Sequence, residues 1–350
     1  MNGVIENSFI EALVRDLPKS PYQRNGLQES DSELIMIPGT ETILAITTDS
    51  IVEEIETGLY SDPFLIGWMT VMVNASDLAA VGADPLGILL NETLPDSLSE
   101  SFIREIQSGI KEACEFCNMP VLGGDTNHSN SFQMGGTAIG IVRKNRLVTR
   151  IGCQPGDILF ISAKPGSGNS FAFSLLADNS SGALPVVSFK PYARLTEGKL
   201  LVDYATCCMD SSDGFIATID QLMRSNNKGF IIDILLQDFI HPETLNFSHI
   251  AKIPPWMFLA GIHGEFELVF TVPPEKVTQF TTQAQTTGWH PIRLGTVVKE
   301  RELQMRIDDT YIKVDTTRIR NLFDKARGNI QEYIGELFKI DQEWESHTIL

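Results

Sequence analysis

The chain has 350 residues, 43% of them apolar and 21% charged, a composition that fits a globular protein of about two domains and not a disordered segment. Its 45 acidic residues against 27 basic ones give a formal charge of −18, which excludes broad electrostatic binding to nucleic acid or to an anionic membrane surface. No apolar run approaches the roughly 20 residues that span a bilayer, and the N-terminal MNGVIENSFIEALVRDLPKS lacks a basic region followed by an apolar stretch. No membrane partner and no secretory signal are expected, and a cytoplasmic location follows.

In chain order, TILAITTD (42–49) reads as a strand rich in Thr and Ile. Asp62-Pro63 supplies an N-cap and a first-turn proline for the helix FLIGWMTVMVNASDLAA, which Gly82 ends. A strand follows at 86–94. Ser97 and Glu100 form a capping box for a helix reaching about residue 118. Strands at 120–123 and 133–143 flank a Gly-Asp loop. The polar stretch 144–156 marks a break. Beyond it come a strand (DILFISA), the glycine-rich loop KPGSGNS with a helical stretch after it, and a helical segment after Lys190-Pro191. The strand TCCMD, the helix SDGFIATIDQLMRSNN and the strand GFIIDILL come next. EFELVFTV, PEKVTQFTTQAQTT and PIRLGTVV then read strand, helix, strand. The pattern predicts two mixed α/β domains, 1–150 and 151–315, with an acidic tail at 316–350.

Five cysteines are too few, and odd in number, for a disulfide framework. Cys114 and Cys117 form a CxxC, but Cys117 continues the apolar stripe Phe102, Ile103, Ile106, Ile110, Ala113, so both read as core residues, as do Cys207 and Cys208 in their strand.

Chemistry points to a set of aspartates at element ends. Asp49 closes the first strand, and Asp125 follows Gly123-Gly124. Asp210 and Asp213 bracket the turn MDSSDG, while Asp77 sits with Asn74 and Ser76 on an otherwise apolar helix. A buried carboxylate requires a metal, a cation or hydrogen-bond donors beside it. Taken singly, each of these aspartates also reads as a cap or turn residue. KPGSGNS would let backbone amides approach a phosphate, yet GxxxxGK[ST] and GxGxxG are absent. No HExxH, GxSxG or paired CxxC is present, which removes zincin, α/β-hydrolase and zinc-ribbon readings.

The segments TTDSIVEEIE, IGWMTVMVNASDLAAVGADP, LGGDT, RIGCQPGD, KPYARLTEG and MDSSDGF occur in the order and approximate spacing of thiamine-monophosphate kinases. The chain resembles that family, a relative of aminoimidazole ribonucleotide synthetase, over roughly residues 28–300. The resemblance implies a two-domain α/β (mixed α+β) fold whose N-terminal strands pair with a partner's in a dimeric barrel, and hence a homodimer. It implies ATP and Mg²⁺ as cofactors, bound by an N-terminal domain that also dimerises. Asp31, Asp49, Asp77, Asp125, Asp210 and Asp213 match metal ligands of the family, Asp210 and Asp213 also being the catalytic candidates. Thr47, Thr48, Gly124, Arg150 and Ser212 match positions around ATP. At the substrate side, the family's VEGVHF is VEEIET here, with Glu56 in place of a histidine. Its GEDYEL is HGEFEL, with Gly264 in place of a glutamate and Glu265 at the following aspartate. The implied reaction is phosphoryl transfer from ATP to thiamine phosphate, with the acceptor left open by these two motifs. The alternatives are ATP-dependent activation of a carbonyl or amide oxygen, as in the wider superfamily, and a non-catalytic nucleotide-binding partner protein.

Overall fold

The computed structural model describes residues 3–143, 145–176 and 184–348. The chain forms two compact units: Ser20–Arg150 with Lys190–Asp210, and Met1–Lys19 with Ile151–Phe189 and Ser211–Leu350. Relative to a single division after residue 150, the first 19 residues cluster with the later unit and residues 190–210 with the earlier one. Lys144, at the start of the expected break, lies outside the described residues.

The earlier unit is built on a five-stranded mixed sheet. Thr42–Ser50 pairs antiparallel with Glu33–Met36 on one side and with Gln133–Arg143 on the other. Gln133–Arg143 then pairs antiparallel with Asp84–Leu94, which pairs in parallel with the edge strand Val121–His128. The expected strand at 120–123 therefore runs on to residue 128, through the expected Gly-Asp loop. Gly124 lies flat against the neighbouring strand, where a Cβ would stand 2.2 Å from the Leu90 oxygen. Gly124 thus serves close strand approach, and the Gly-Gly pair makes no turn.

Two helices pack together within this unit. Pro63–Ala80 is apolar nearly all round and almost wholly buried, as expected of a core helix. Asp62 accepts from the Phe64 amide at its N-terminus, and Gly82, at φ +70°, lies just past its C-terminal end. Glu100–Cys117 is amphipathic and buries Ile106, Ile110, Ala113 and Cys117. Its cap is Ser99, whose hydroxyl accepts from the Phe102 amide, so the capping residue is displaced by two from the expected Ser97. Cys114 and Cys117 form no disulfide, and burial pushes the Cys117 thiol up to about 12. The helices touch backbone to backbone: a Cβ on Gly67 would lie 2.0 Å from the Ile106 oxygen, and one on Gly109 2.1 Å from the Phe64 oxygen.

In the later unit, Ile158–Ile161 pairs antiparallel with Leu268–Val272 and with Ile292–Val298. Ile292–Val298 continues to Gly229–Ile232, which pairs in parallel with the hairpin strand Leu303–Ile307, and that in turn with Thr310–Val314. Against this sheet Phe160 stacks on Phe270, and Phe280 meets both Phe270 and Trp289 edge-on. The strand expected over GFIIDILL stops at Ile232, and a short helix, Leu236–Phe239, takes up its end. The strand expected over EFELVFTV begins only at Leu268.

Several segments left without pattern are helical, among them Ile5–Val14, Pro242–Ala251 and much of residues 316–348. In the last helix, Ile330–Thr348, Tyr333, Leu337 and Ile340 are buried. The Tyr333 hydroxyl donates to the Ala260 oxygen at 3.1 Å, and Trp256 Nε1 to Asp341 at 2.7 Å. The expected acidic tail is thus packed structure. Glu332, Glu343 and Glu345 are exposed, while Asp341 is half-buried against Trp256. Among the described residues no helix is long and apolar enough to cross a membrane.

Because the Gly67/Gly109 crossing leaves no room for a methyl group, Gly109→Ala is expected to lose about 1–3 kcal/mol through overpacking. Urea unfolding should show a lowered midpoint with an unchanged slope.

Candidate active site

The strand Thr42–Ser50 alternates its side chains, which puts Thr47 and Asp49 on one face and Thr48 on the other. Thr48 Oγ1 donates to the Gly136 oxygen at 2.9 Å and accepts from Thr137 at 3.1 Å. On the opposite face, Thr47 Oγ1 donates to Asp77 Oδ2. Asp77 comes from the Pro63–Ala80 helix, as do Asn74 and Ser76, which hold the neighbouring segments. Asn74 Oδ1 accepts from the Asp49 amide at 3.0 Å, and its Nδ2 donates to the Thr70 oxygen at 3.0 Å. The Ser76 hydroxyl donates to Asp210 Oδ2 at 2.5 Å. Asp210 ends the fully buried strand Cys207–Asp210, whose Cys208 amide donates to the Thr149 oxygen at 2.8 Å.

One residue beyond Thr149, Arg150 donates from Nε and Nη2 to the same oxygen of Asp31, at 3.1 and 2.8 Å. The Asp31 side chain is 0% exposed, and its other oxygen, Oδ2, is buried with no hydrogen-bond partner. Asp31, Asp77 and Asp210 each offer an oxygen, and all three oxygens lie within 4.8 Å of one another. Asp49 adjoins them through its contact with Asp77.

Crowding shows in the titration. Burial, then the charges of Asp49, Asp210 and Asp31, push the Asp77 carboxyl well above the usual carboxylate range, against the Thr47 hydrogen bond. Burial also raises Asp49, opposed by its hydrogen bonds to Asp77 and Thr47. Burial, the largest single effect, works against the Arg150 cation, and the charge and hydrogen bonds of Asp31 together with the charges of Asp77 and Asp210 outweigh it. Carboxylates gathered this tightly repel one another unless a proton or a cation lies among them. An all-oxygen donor set with one buried, unpartnered oxygen suits a hard divalent cation such as Mg²⁺.

The remaining candidates are placed differently. Gly124 and Asp125 lie on the exposed edge strand Val121–His128, where Asn127 Nδ2 donates to Asp125 at 2.7 Å. Asp125 is not in the group of converging carboxylates. Glu56 is exposed at the end of the short helix Val52–Glu56. Ser212 and the exposed Asp213 belong to the later unit, in the turn before the helix Phe215–Asn226. There Asp213 is near enough to raise the pKa of Glu6, second to burial.

Glu265 is buried in the same unit. Its Oε2 accepts from the amides of Gly166 (2.8 Å) and Gly168 (3.4 Å), and its Oε1 from the Ser211 hydroxyl at 3.4 Å. Burial, against these hydrogen bonds, moves its carboxyl up to about 8. The KPGSGNS segment is helical from Ser167 onward. Two of the amides that a phosphate would have used are taken by a carboxylate of the chain itself.

A family model described as "AIR synthase related protein, N-terminal domain" matches residues 30–142. Over 251 residues the chain is 30% identical to the thiamine-monophosphate kinase of Escherichia coli K12, an alignment covering 69% of this chain and 75% of that one. It is also 30% identical over 275 residues to that of Archaeoglobus fulgidus, covering 78% and 84%. The chain belongs to the thiamine-monophosphate kinase family. The fold agrees with a solved structure of AaThiL complexed with AMPPCP and TMP, with a TM-score of 0.72 at 23% identity over 88% of this chain and 94% of that one.

Gly264 stands where the resemblance leads one to expect a glutamate, and the structure leaves no room for a side chain there. A Cβ there would stand 1.5 Å from the Ser211 oxygen, so no side chain is accommodated while the Gly264 amide donates to the Ser212 oxygen at 2.8 Å. Ser76 was visible in the sequence only as a polar neighbour of Asp77. Nothing local announced that it would hold Asp210, far away in the chain.

Glu265 also gives a pH signature. Its pKa is raised on folding, so the folded chain holds a proton that the unfolded chain has released. That contribution is complete below about 4.5, the unperturbed value, and is lost as pH rises through about 8. Urea unfolding from about pH 5 to 9 should therefore show the wild type losing stability relative to Glu265→Gln as pH rises. Parallel curves for the two proteins would mean that the carboxyl titrates normally.

Proposed function

We propose that this chain is an ATP-dependent kinase that transfers the terminal phosphoryl group of ATP to thiamine monophosphate, giving ADP and thiamine diphosphate, with Mg²⁺ held among its aspartates. The observation that carries this reading is the convergence of Asp31, Asp77 and Asp210 within 4.8 Å, in a chain that shares 30% identity with thiamine-monophosphate kinases over most of its length.

Asp31, Asp77 and Asp210 would hold the metal, with Asp49 beside them and Asp125 and Asp213 as further ligands. When bound, Mg²⁺ neutralises charge on the triphosphate and helps keep donor and acceptor oxygens in line. The residues of the chain do the positioning. Thr47 and Ser76 orient Asp77 and Asp210 by donating to one oxygen of each, which leaves the other lone pairs directed away from those hydroxyls. Arg150 fixes Asp31 through two hydrogen bonds to a single oxygen and leaves Oδ2 available. Thr48, Gly124 and Ser212 are assigned to ATP, with Arg150 offsetting part of its charge. The acceptor is itself a phosphate, ionised at neutral pH, so no side-chain general base is required. Glu56, exposed and acidic, is assigned to the side that meets the cationic thiazolium of the acceptor.

Asp77→Asn is the direct test. The amide can still accept from Thr47 and relieves like-charge crowding, so the folded protein should be at least as stable as the wild type. ADP release with ATP, Mg²⁺ and thiamine monophosphate should fall by about 10²-fold or more. Undiminished turnover would remove Asp77 from the site, and a wild type that releases no ADP with this acceptor would overturn the kinase reading.

A homodimer is proposed as well. The edge strand Val121–His128 is exposed throughout, and Leu86, Leu89, Val121 and Leu122 leave apolar surface uncovered on it and on the strand beside it. An edge of this kind is a template for pairing with a second chain. Light scattering at micromolar concentration should give the mass of two chains, and Leu122→Lys should shift it to one.

A further inference from the structure

Three segments of the later unit meet at the buried Glu265: the glycine-rich loop around Gly166–Gly168, the turn beginning at Ser211, and the stretch Gly261–Leu268. They approach with almost no side-chain volume between them. A Cβ on Gly168 would lie 2.2 Å from the Gly264 oxygen, and one on Gly214 2.3 Å from the Gly261 oxygen. Asn169 spans the same seam: its Oδ1 accepts from the His263 amide at 3.1 Å, and its Nδ2 donates to the Phe258 oxygen at 2.9 Å. On the far side of Glu265, the Ser211 hydroxyl accepts from the Glu267 amide at 3.0 Å, and Glu267 in turn accepts from Ser162. Phe266, between the two glutamates, has φ +61°. That conformation is costly for a bulky residue, and surrounding contacts must enforce it.

Successive amides of a glycine-rich loop make a concavity that attracts an anion. Here the anion-accepting position is filled from within. We infer that Glu265 is a positioning residue: its carboxyl group occupies the amide nest of the 166–168 loop and fastens that loop to Ser211, thereby fixing the turn that presents Ser212 and Asp213. The assignment of Ser212 and Asp213 to ATP and metal rests on the kinase reading above. The clamp itself does not.

Two consequences follow. The glycine-rich loop is not a phosphate cradle, since its amides at 166 and 168 are engaged. And Glu265 acts as a hydrogen-bond acceptor, so an uncharged acceptor of the same shape serves in its place, whereas a residue facing the substrate as a carboxylate would not tolerate that exchange.

The test compares Glu265→Ala, Glu265→Gln and the wild-type protein by amide hydrogen exchange and by steady-state kinetics. In the alanine variant the Gly166 and Gly168 amides should exchange about tenfold faster or more, through local opening. Its kcat should fall by about 10–10²-fold, as expected for a displaced catalytic turn, with KM for thiamine monophosphate and for ATP held within about threefold. The glutamine variant should restore both the protection and most of the kcat. Unchanged exchange at 166 and 168 in the alanine variant would overturn the clamp. A raised KM for thiamine monophosphate at constant kcat would make Glu265 a substrate contact instead, and a glutamine variant as damaged as the alanine one would show that the charge is required. Should the alanine variant not fold, Ser211→Ala takes its place, with faster exchange expected at the Glu267 amide and a lowered kcat at unchanged KM. Unchanged exchange there would equally overturn the clamp. If the wild type proves inactive on thiamine monophosphate, the kinase reading fails on that result, and the exchange data still decide the clamp.

Discussion

An otherwise apolar helix carries Asn74, Ser76 and Asp77 into the packed interior of the earlier unit, where Asp77 meets the carboxylates of Asp31, Asp49 and Asp210. Desolvating a charge is expensive, and doing so beside other charges of the same sign is more so. The surroundings meet this demand residue by residue. Thr47 supplies a hydroxyl to Asp77, Ser76 one to Asp210, and Arg150 a guanidinium to Asp31. These partners still leave Asp77 far from its ordinary titration. The deficit of positive charge is the physical reason for regarding the cluster as a cation site and not as a structural polar network, in which each oxygen would be satisfied.

Holding that cluster together requires close packing behind it. The Pro63–Ala80 helix is pinned along its length by glycines on neighbouring elements: Gly109 approaches Phe64, and Gly198 approaches Ala79, where a Cβ would lie 2.0 Å from the oxygen. Each contact replaces side-chain volume by direct backbone approach and leaves the helix little freedom to slide. A shift of the helix would carry Asn74, Ser76 and Asp77 together, so the three bonds that reach Asp49, Asp210 and Thr47 share one rigid support.

The later unit solves a different problem with similar means. There the backbone of three segments converges, glycine against glycine, and one buried carboxyl group satisfies amides that would otherwise be left without partners. The acid at residue 265 is therefore tied to the loop geometry around it. The absence of a side chain at 264 belongs to the same arrangement, since the Ser211 oxygen occupies the space a side chain would need.

Much of this was legible in the sequence. The run TILAITTD announced the strand that Asp49 closes, the Asp62-Pro63 start and Gly82 stop delimited the central helix, and an aspartate on an apolar helix signalled a demand for a counter-charge. These are local properties, fixed by backbone geometry within a few residues. The ordered motif segments were enough to identify the family. What the sequence did not determine was which distant residues answer one another. The bond from Ser76 to Asp210 spans 134 positions, and Arg150 reaches Asp31 across 119. The seating of Glu265 in the glycine loop depends on two segments 99 positions apart. Such pairings carry no local signature, because a serine hydroxyl or a glycine amide is chemically the same wherever it stands. Only the folding of the sheets and helices around them decides which acceptor each one meets.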